Sequence, residues 1–232
     1  MEAGTIFHVV TGGIGLLSGA IALASSKGQS VHRQAGWAFL VSMIAMTVSG
    51  FVLAAILPIY VTMMAASVTF YLVVSGTITA RQRGSKQNLT DSAVLTLGLG
   101  VLAFGAWLSW RAMHGIQDNL GEFVVPAPVY FFFAFITLLA VIGDAWVVLF
   151  GRRKGKVRIM RHLWRMCVPL YIAASSFFDG QQQVFPEWLQ GTYYLLVPQL
   201  VVFLAMIAYL IFTAWKWPMK KAKTAQTTSQ GG

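Results

Sequence analysis

Basic residues fall at every second connection between the apolar runs of this chain, and that alternation constrains its fold more than any other feature. Seven runs stand out, at roughly 4–24, 35–57, 59–80, 92–113, 127–150, 162–178 and 192–215. A helix of ~20 apolar residues crosses a hydrocarbon layer of ~30 Å, so each run is long enough to span. Strands fit poorly, because lipid offers no partner to an open sheet edge and the runs lack the ~10-residue alternation of a barrel. The expected fold is all-α, a bundle of seven transmembrane helices over residues 1–217. A polar, basic tail at 218–232 is expected to be disordered.

The charges orient the bundle. Lys27 and Arg33 lie in the first connection, Arg81, Arg83 and Lys86 in the third, Arg152 to Arg161 in the fifth, and Lys216, Lys220, Lys221 and Lys223 in the tail. With Arg165, 16 of the 17 Lys and Arg residues share one side, and only Arg111 falls on the other. Glu2, Asp118, Glu122, Asp179 and Glu187 collect with Arg111. Cationic loops stay cytoplasmic, which puts the N-terminus outside, the tail inside, and requires an odd number of spans. The first run has no basic residue ahead of it and is followed by Lys27 and Arg33, so it reads as a retained anchor and not a cleaved signal. Trp107, Trp110, Trp188, Tyr193 and Tyr194 mark the outer interface, and Trp37, Trp164, Trp215 and Trp217 the inner one.

Composition agrees. The chain is 57% hydrophobic and 10% charged, against ~45–50% and ~25% in soluble domains. The net charge of +10 is explained by the basic connections and implies no nucleic acid. A single cysteine, Cys167, rules out an intramolecular disulfide.

The informative residues are those that lipid disfavours. Asp144 lies about 9 Å inside the cytoplasmic end at ~1.5 Å rise per residue. An ionised carboxylate there costs at least ~2.5 kcal/mol unless paired or wetted. The sixth run opens RHLWRM, and Arg158, Arg161, His162 and Arg165 recur at helical spacing on one stripe. Arg165 matches Asp144 in depth, and the two are expected to pair between helices, while Arg158 and Arg161 reach headgroups by snorkelling. His32 and Arg33 complete the polar cluster expected on this side. Pro169 cannot donate to the carbonyl of Arg165, which frees an acceptor beside the stripe.

On the outer half, His8, Gly12, Gly15 and Gly19 share a face of the first helix, with Thr11 beside them. This groove of small residues suits a close-packed helix, as Gly15-x-x-x-Gly19 suggests, or a flat cofactor. Two histidines at equal depth on different helices are what bis-imidazole haem b ligation needs. His8 with His114, or His32 with His162, meet that requirement formally. His32, His162 and Asp144 also suit a zinc with one open position, in a layout resembling the seven-helix zinc hydrolases of the ceramidase and adiponectin-receptor type, although their ligand pattern is missing. A rhodopsin is excluded, since the seventh run has no lysine for a Schiff base. In FFDGQQQVFPEW, Asp179, the three glutamines and Glu187 form either an outward vestibule with Arg111 or a solvated loop. Gln199 is expected to bond a neighbouring helix.

Gly143-Asp144, RHLWRM at 161–166 and SFFDGQQ at 176–182, together with HVVTGGIGLLSGAIAL and KGQSVHRQAG at the front, resemble a group of bacterial inner-membrane proteins near domain-of-unknown-function family 2306. The resemblance covers most of the chain. It implies a polytopic protein of the bacterial inner membrane with motif positions at His8, His32, Arg33, Asp144, His162 and Arg165, and transfers no chemistry.

No P-loop, dinucleotide fingerprint or nucleophile elbow occurs. The leading expectation is a non-enzymatic role as a small transporter, or as a subunit that binds membrane lipid, another membrane subunit or a second copy of itself. A haem or metal redox protein is the alternative, and a zinc hydrolase the third reading.

Overall fold

The computed structural model describes residues 2–82, 84, 87–115 and 125–229, with side chains through Trp215. Arg83, Lys86, Asp118 and Glu122 lie outside the described residues. The described residues form seven α-helices and no strand: α1 (Glu2–Ala24), α2 (Ser30–Ile56), α3 (Tyr60–Arg81), α4 (Leu89–Met113), α5 (Ala127–Phe150), α6 (Lys156–Ala174) and α7 (Val197–Ser229). A π-helical turn, Ser175–Asp179, extends α6, and short 3₁₀ turns at Gln182–Val184 and Tyr193–Leu196 lead into α7. Helix α7 continues past Trp217 to Ser229.

Six segments are long and apolar enough to cross a membrane, namely α1 to α5 and Tyr193–Trp215, which fits a multi-pass membrane protein. The sixth run departs from expectation. Helix α6 is only 19 residues long and carries Lys156, Arg158, Arg161 and Arg165, so it does not qualify by composition. Its position explains how this is tolerated. Helix α6 packs on α1, α3 and α7, and buries Arg165, Cys167, Leu170, Ile172 and Ala173. A helix enclosed by others need not present apolar surface to lipid.

Helix α3 is the other central element, touching α2, α4, α5 and α6. One apolar cluster on its flank joins Val68, Tyr71 and Leu72 to Val94 and Val101 of α4 and Phe133 and Ala140 of α5. A second joins Val73 to Phe39 and Met43 of α2, Leu170 of α6 and Val202 of α7. The α1–α2 hairpin is knitted by the small-residue face of α1. A Cβ at Gly15 would fall 2.9 Å from Met43 Sδ, and one at Gly19 would fall 2.6 Å from Leu170 Cδ1 and 2.9 Å from Phe39.

The basic connections do gather at one end. Arg81 lies over the Trp37 ring of α2, Lys27 over the Tyr209 ring of α7, and Arg158 donates to the Gln82 carbonyl. At the opposite end Arg111 lies over the rings of Tyr60 and Trp107.

The α5–α6 turn sets the register of the site. Gly151 ends α5 with φ +85°, and Gly155 starts α6 with φ +66°. Both values belong to the left-handed region that glycine enters without penalty. The chain therefore reverses within GRRKG, and α6 reaches back to α5 through its long side chains instead of close backbone packing.

Candidate functional site: a buried carboxylate held by two arginines

Asp144 lies on the buried face of α5, two turns from the Gly151 turn. Arg165, on α6, is the largest fully buried side chain, at 1% exposure. Its Nη1 donates to Asp144 Oδ1 at 2.8 Å, and its Nη2 donates to the Ala140 carbonyl at 2.7 Å. The pair inferred from matched depth is thus present. Arg161 does not snorkel as expected. Its Nη2 turns inward to the same Asp144 Oδ1, also at 2.8 Å. The other carboxylate oxygen accepts a hydrogen bond from Tyr71 Oη of α3.

Two guanidinium groups and one carboxylate leave a positive charge in excess. The Nε atoms of both Arg161 and Arg165 are buried without a hydrogen-bond partner. Charge-assisted bonds to a carboxylate are strong in a low-dielectric interior, but removing three charges from water costs several kcal/mol each. Burial of such a group is expensive, and apolar side chains would pack these helices as well.

Close packing aims the participants. A Cβ at Gly98 of α4 would fall 2.6 Å from Cζ and Oη of Tyr71, and one at Gly76 of α3 would fall 3.0 Å from Arg165 Cβ. The Gly76 carbonyl also meets His162 Nδ1 at 3.0 Å.

A second polar group lies nearer the basic end. Asp91, 4% exposed, opens α4 in a capping box with Asn88. Its carboxylate accepts from Arg152 Nη2 at 2.9 Å and Nε at 3.0 Å, and from Gln82 Nε2 at 2.5 Å. Between the two groups is a cavity of about 10 Å³ lined by Ser75, Thr79, Gln82, Asp91, Asp144 and Arg161. That is room for one water molecule among enough polar partners to hold it.

The remaining members of the expected inner cluster do not join. His32 Nδ1 meets the Ala22 carbonyl at 3.0 Å, at the end of α1, and Arg33 is exposed. His162 is committed to Gly76, and the Asp144 oxygens to Arg161, Arg165 and Tyr71, so the three do not form the zinc layout. Among the described residues no three His, Cys, Asp or Glu side chains gather in a way that would hold a metal ion.

The outer groove is filled by protein. His8 Nδ1 meets the Met46 carbonyl at 2.9 Å and Ser49 Oγ at 3.3 Å, and its ring lies on Gly50, whose Cβ would fall 2.8 Å from Cε1. Met46 Sδ sits against Gly12 and Met43 Sδ against Gly15, while Thr11 bonds back to the Phe7 and His8 carbonyls. His114 bonds the Trp110 carbonyl and stacks on the Trp110 ring. His8 thus bonds across to α2 through Nδ1, whereas His114 bonds within its own helix.

Arg111 lies over the rings of Tyr60 and Trp107. Asp179 accepts from Gln182, Gln183 donates to Gln181, and Phe185 packs against Phe177 and Phe178. Gln199 is buried as expected, yet its Oε1 has no partner.

Tyr71, Arg161 and Asp91 were not expected in the site. A tyrosine inside an apolar run needs a partner for its hydroxyl, and N-L-T-D at 88–91 is a capping signature, so both left a readable trace. Neither a family model, nor a curated protein, nor a solved structure matches this chain.

Proposed function

We propose that the chain is a seven-span protein of a bacterial inner membrane, N-terminus outside and α7 tail cytoplasmic, and that it is a small proton-coupled transporter. In this reading α6 is the seventh span, and the odd count agrees with the distribution of basic connections.

The observation that carries the transport reading is the Asp144 group together with its cavity. Ionisable side chains within membrane spans are rare and mark ion or substrate paths. Among the described residues Asp144 is the only carboxylate between two arginines of a different helix, and it links α5 to α6 through their side chains. Its two oxygens take Arg161, Arg165 and Tyr71, so one carboxylate gathers side chains of α3 and α6. The water-sized cavity and Asp91 connect Asp144 to the basic end, where protons arrive from solution.

The test is proton uptake into liposomes holding the purified protein, followed with a trapped pH dye under an imposed potassium-diffusion potential. Uptake faster than in protein-free liposomes, and lost in Asp144→Asn, supports the reading. Uptake equal to the protein-free rate overturns it.

A second reading rests on the bonds from Arg165 to Ala140 and from His162 to Gly76, which tie α3, α5 and α6 into one block. Here the charges fix helix register, and the protein acts as a lipid- or partner-binding subunit. Undiminished folding stability in Asp144→Asn would count against that clamp.

A further inference from the structure

At the end opposite the basic one, α5 and α6 diverge and leave a groove of about 540 Å³. Its wall is apolar and aromatic, with Phe132 and Phe133 from the first two turns of α5 and Tyr171 from α6. Its mouth is polar, formed by Ser175, Ser176 and Asp179 of the π-helical turn. Among the described residues no basic side chain lines it.

The π turn divides its residues between two tasks. Phe177 and Phe178 pack against Phe185, which fixes the turn from behind, while the two serines and the aspartate face the groove. Inserted π turns of this kind recur at functional sites because the wider turn re-aims side chains. Here the result is an apolar slot edged by one carboxylate and two hydroxyl groups.

We propose that this groove binds a membrane lipid whose headgroup bears a primary ammonium. The chemistry is complementary group by group. The carboxylate of Asp179 only accepts hydrogen bonds, and an ammonium has three to donate. The Ser175 and Ser176 hydroxyls donate to phosphate oxygens, and an acyl chain covers the aromatic wall. A quaternary headgroup offers no N–H to the carboxylate, and an anionic glycerol headgroup is repelled by it. The site therefore discriminates by headgroup and not by chain. It requires only that the bundle sits in a bilayer, and stands apart from the proposal for Asp144.

The experiment places the full chain in nanodiscs made from equal parts of phosphatidylethanolamine, phosphatidylcholine and phosphatidylglycerol with identical acyl chains. The lipid retained after mild detergent release is then read by native mass spectrometry. We expect the ethanolamine lipid to be enriched several-fold over its bulk share, the enrichment to vanish in Asp179→Asn, and to fall in Ser176→Ala. Asp179 and Ser176 are exposed, so both variants keep the packed bundle, and elution as a single species checks this. Retention at the bulk ratio, preference for either other headgroup, or enrichment unchanged in Asp179→Asn overturns the proposal.

Discussion

Gly98 of α4 lies so close beneath Tyr71 of α3 that a single added carbon would fall 2.6 Å from the phenol oxygen. That oxygen is the one donating to Asp144. The aim of a hydrogen bond between α3 and α5 is thus set from α4. Gly98→Ala is expected to destabilise the protein by about 1–3 kcal/mol, as overpacking does in a dense core. Tyr71→Phe, which only removes the hydroxyl, should cost about 0.5–1.5 kcal/mol. Thermal unfolding in detergent measures both, and a neutral Gly98→Ala would show that the helices part easily there.

Removing one partner from a buried ion group exposes the others to an uncompensated interior, typically at about 3–5 kcal/mol. Asp144→Asn strands two guanidinium groups, Arg165→Gln strands a carboxylate that keeps Arg161, and Arg161→Gln leaves the deeper pair intact. Stability should therefore fall most for Asp144→Asn and least for Arg161→Gln. The Asp144→Asn and Arg165→Gln double variant should lose less than the sum of its parents. Strict additivity would mean that the pair contributes no coupling.

The His8 ring and Gly50 are a matched surface between α1 and α2. Gly50→Ala should displace the ring from the Met46 carbonyl and lower the melting temperature. The same change made in a His8→Ala background should cost clearly less, since the obstructing ring is gone. Equal effects in both backgrounds would separate the two residues.

Cys167 is free and buried, which makes the chain nearly blind to thiol reagents as it stands. Cysteines introduced one at a time at Lys154 and Glu187 then report topology. In intact cells a membrane-impermeant maleimide should label Glu187→Cys and spare Lys154→Cys, with Lys154→Cys labelled only after permeabilisation. The reverse pattern would invert the bundle.

Helices α1 to α5 and the Asp144–Arg165 pair were legible because lipid penalises each departure from an apolar pattern, so that every exception points to a partner. Segment 127–150 matches α5 to the residue for that reason. Helix α6 was harder. Its cations looked like boundary markers, and only three-dimensional packing shows that the bundle encloses them, which turns Arg161 from a headgroup contact into a ligand of Asp144. Asp91 escaped notice because a short capping pattern at the edge of a span resembles loop sequence. The partners of the histidines were not legible, because imidazole spacing along a chain says nothing of which carbonyl a ring nitrogen meets, and His8, His32, His114 and His162 each meet one.

The tight reversal at Gly151 and Gly155 has a consequence for biogenesis. Asp144 is separated from Arg161 and Arg165 by only 17 and 21 residues, so the whole ion group is drawn from two consecutive helices. In the proposed topology α6 is too short and too basic to enter a bilayer unaided, whereas α5 enters readily. Synthesis delivers the two in immediate succession, and the carboxylate that α5 carries inward is the counter-ion its successor needs. Admission of the sixth helix is thereby made conditional on the fifth, and a ribosome that stalls between them leaves Asp144 in the membrane with its cations still unmade.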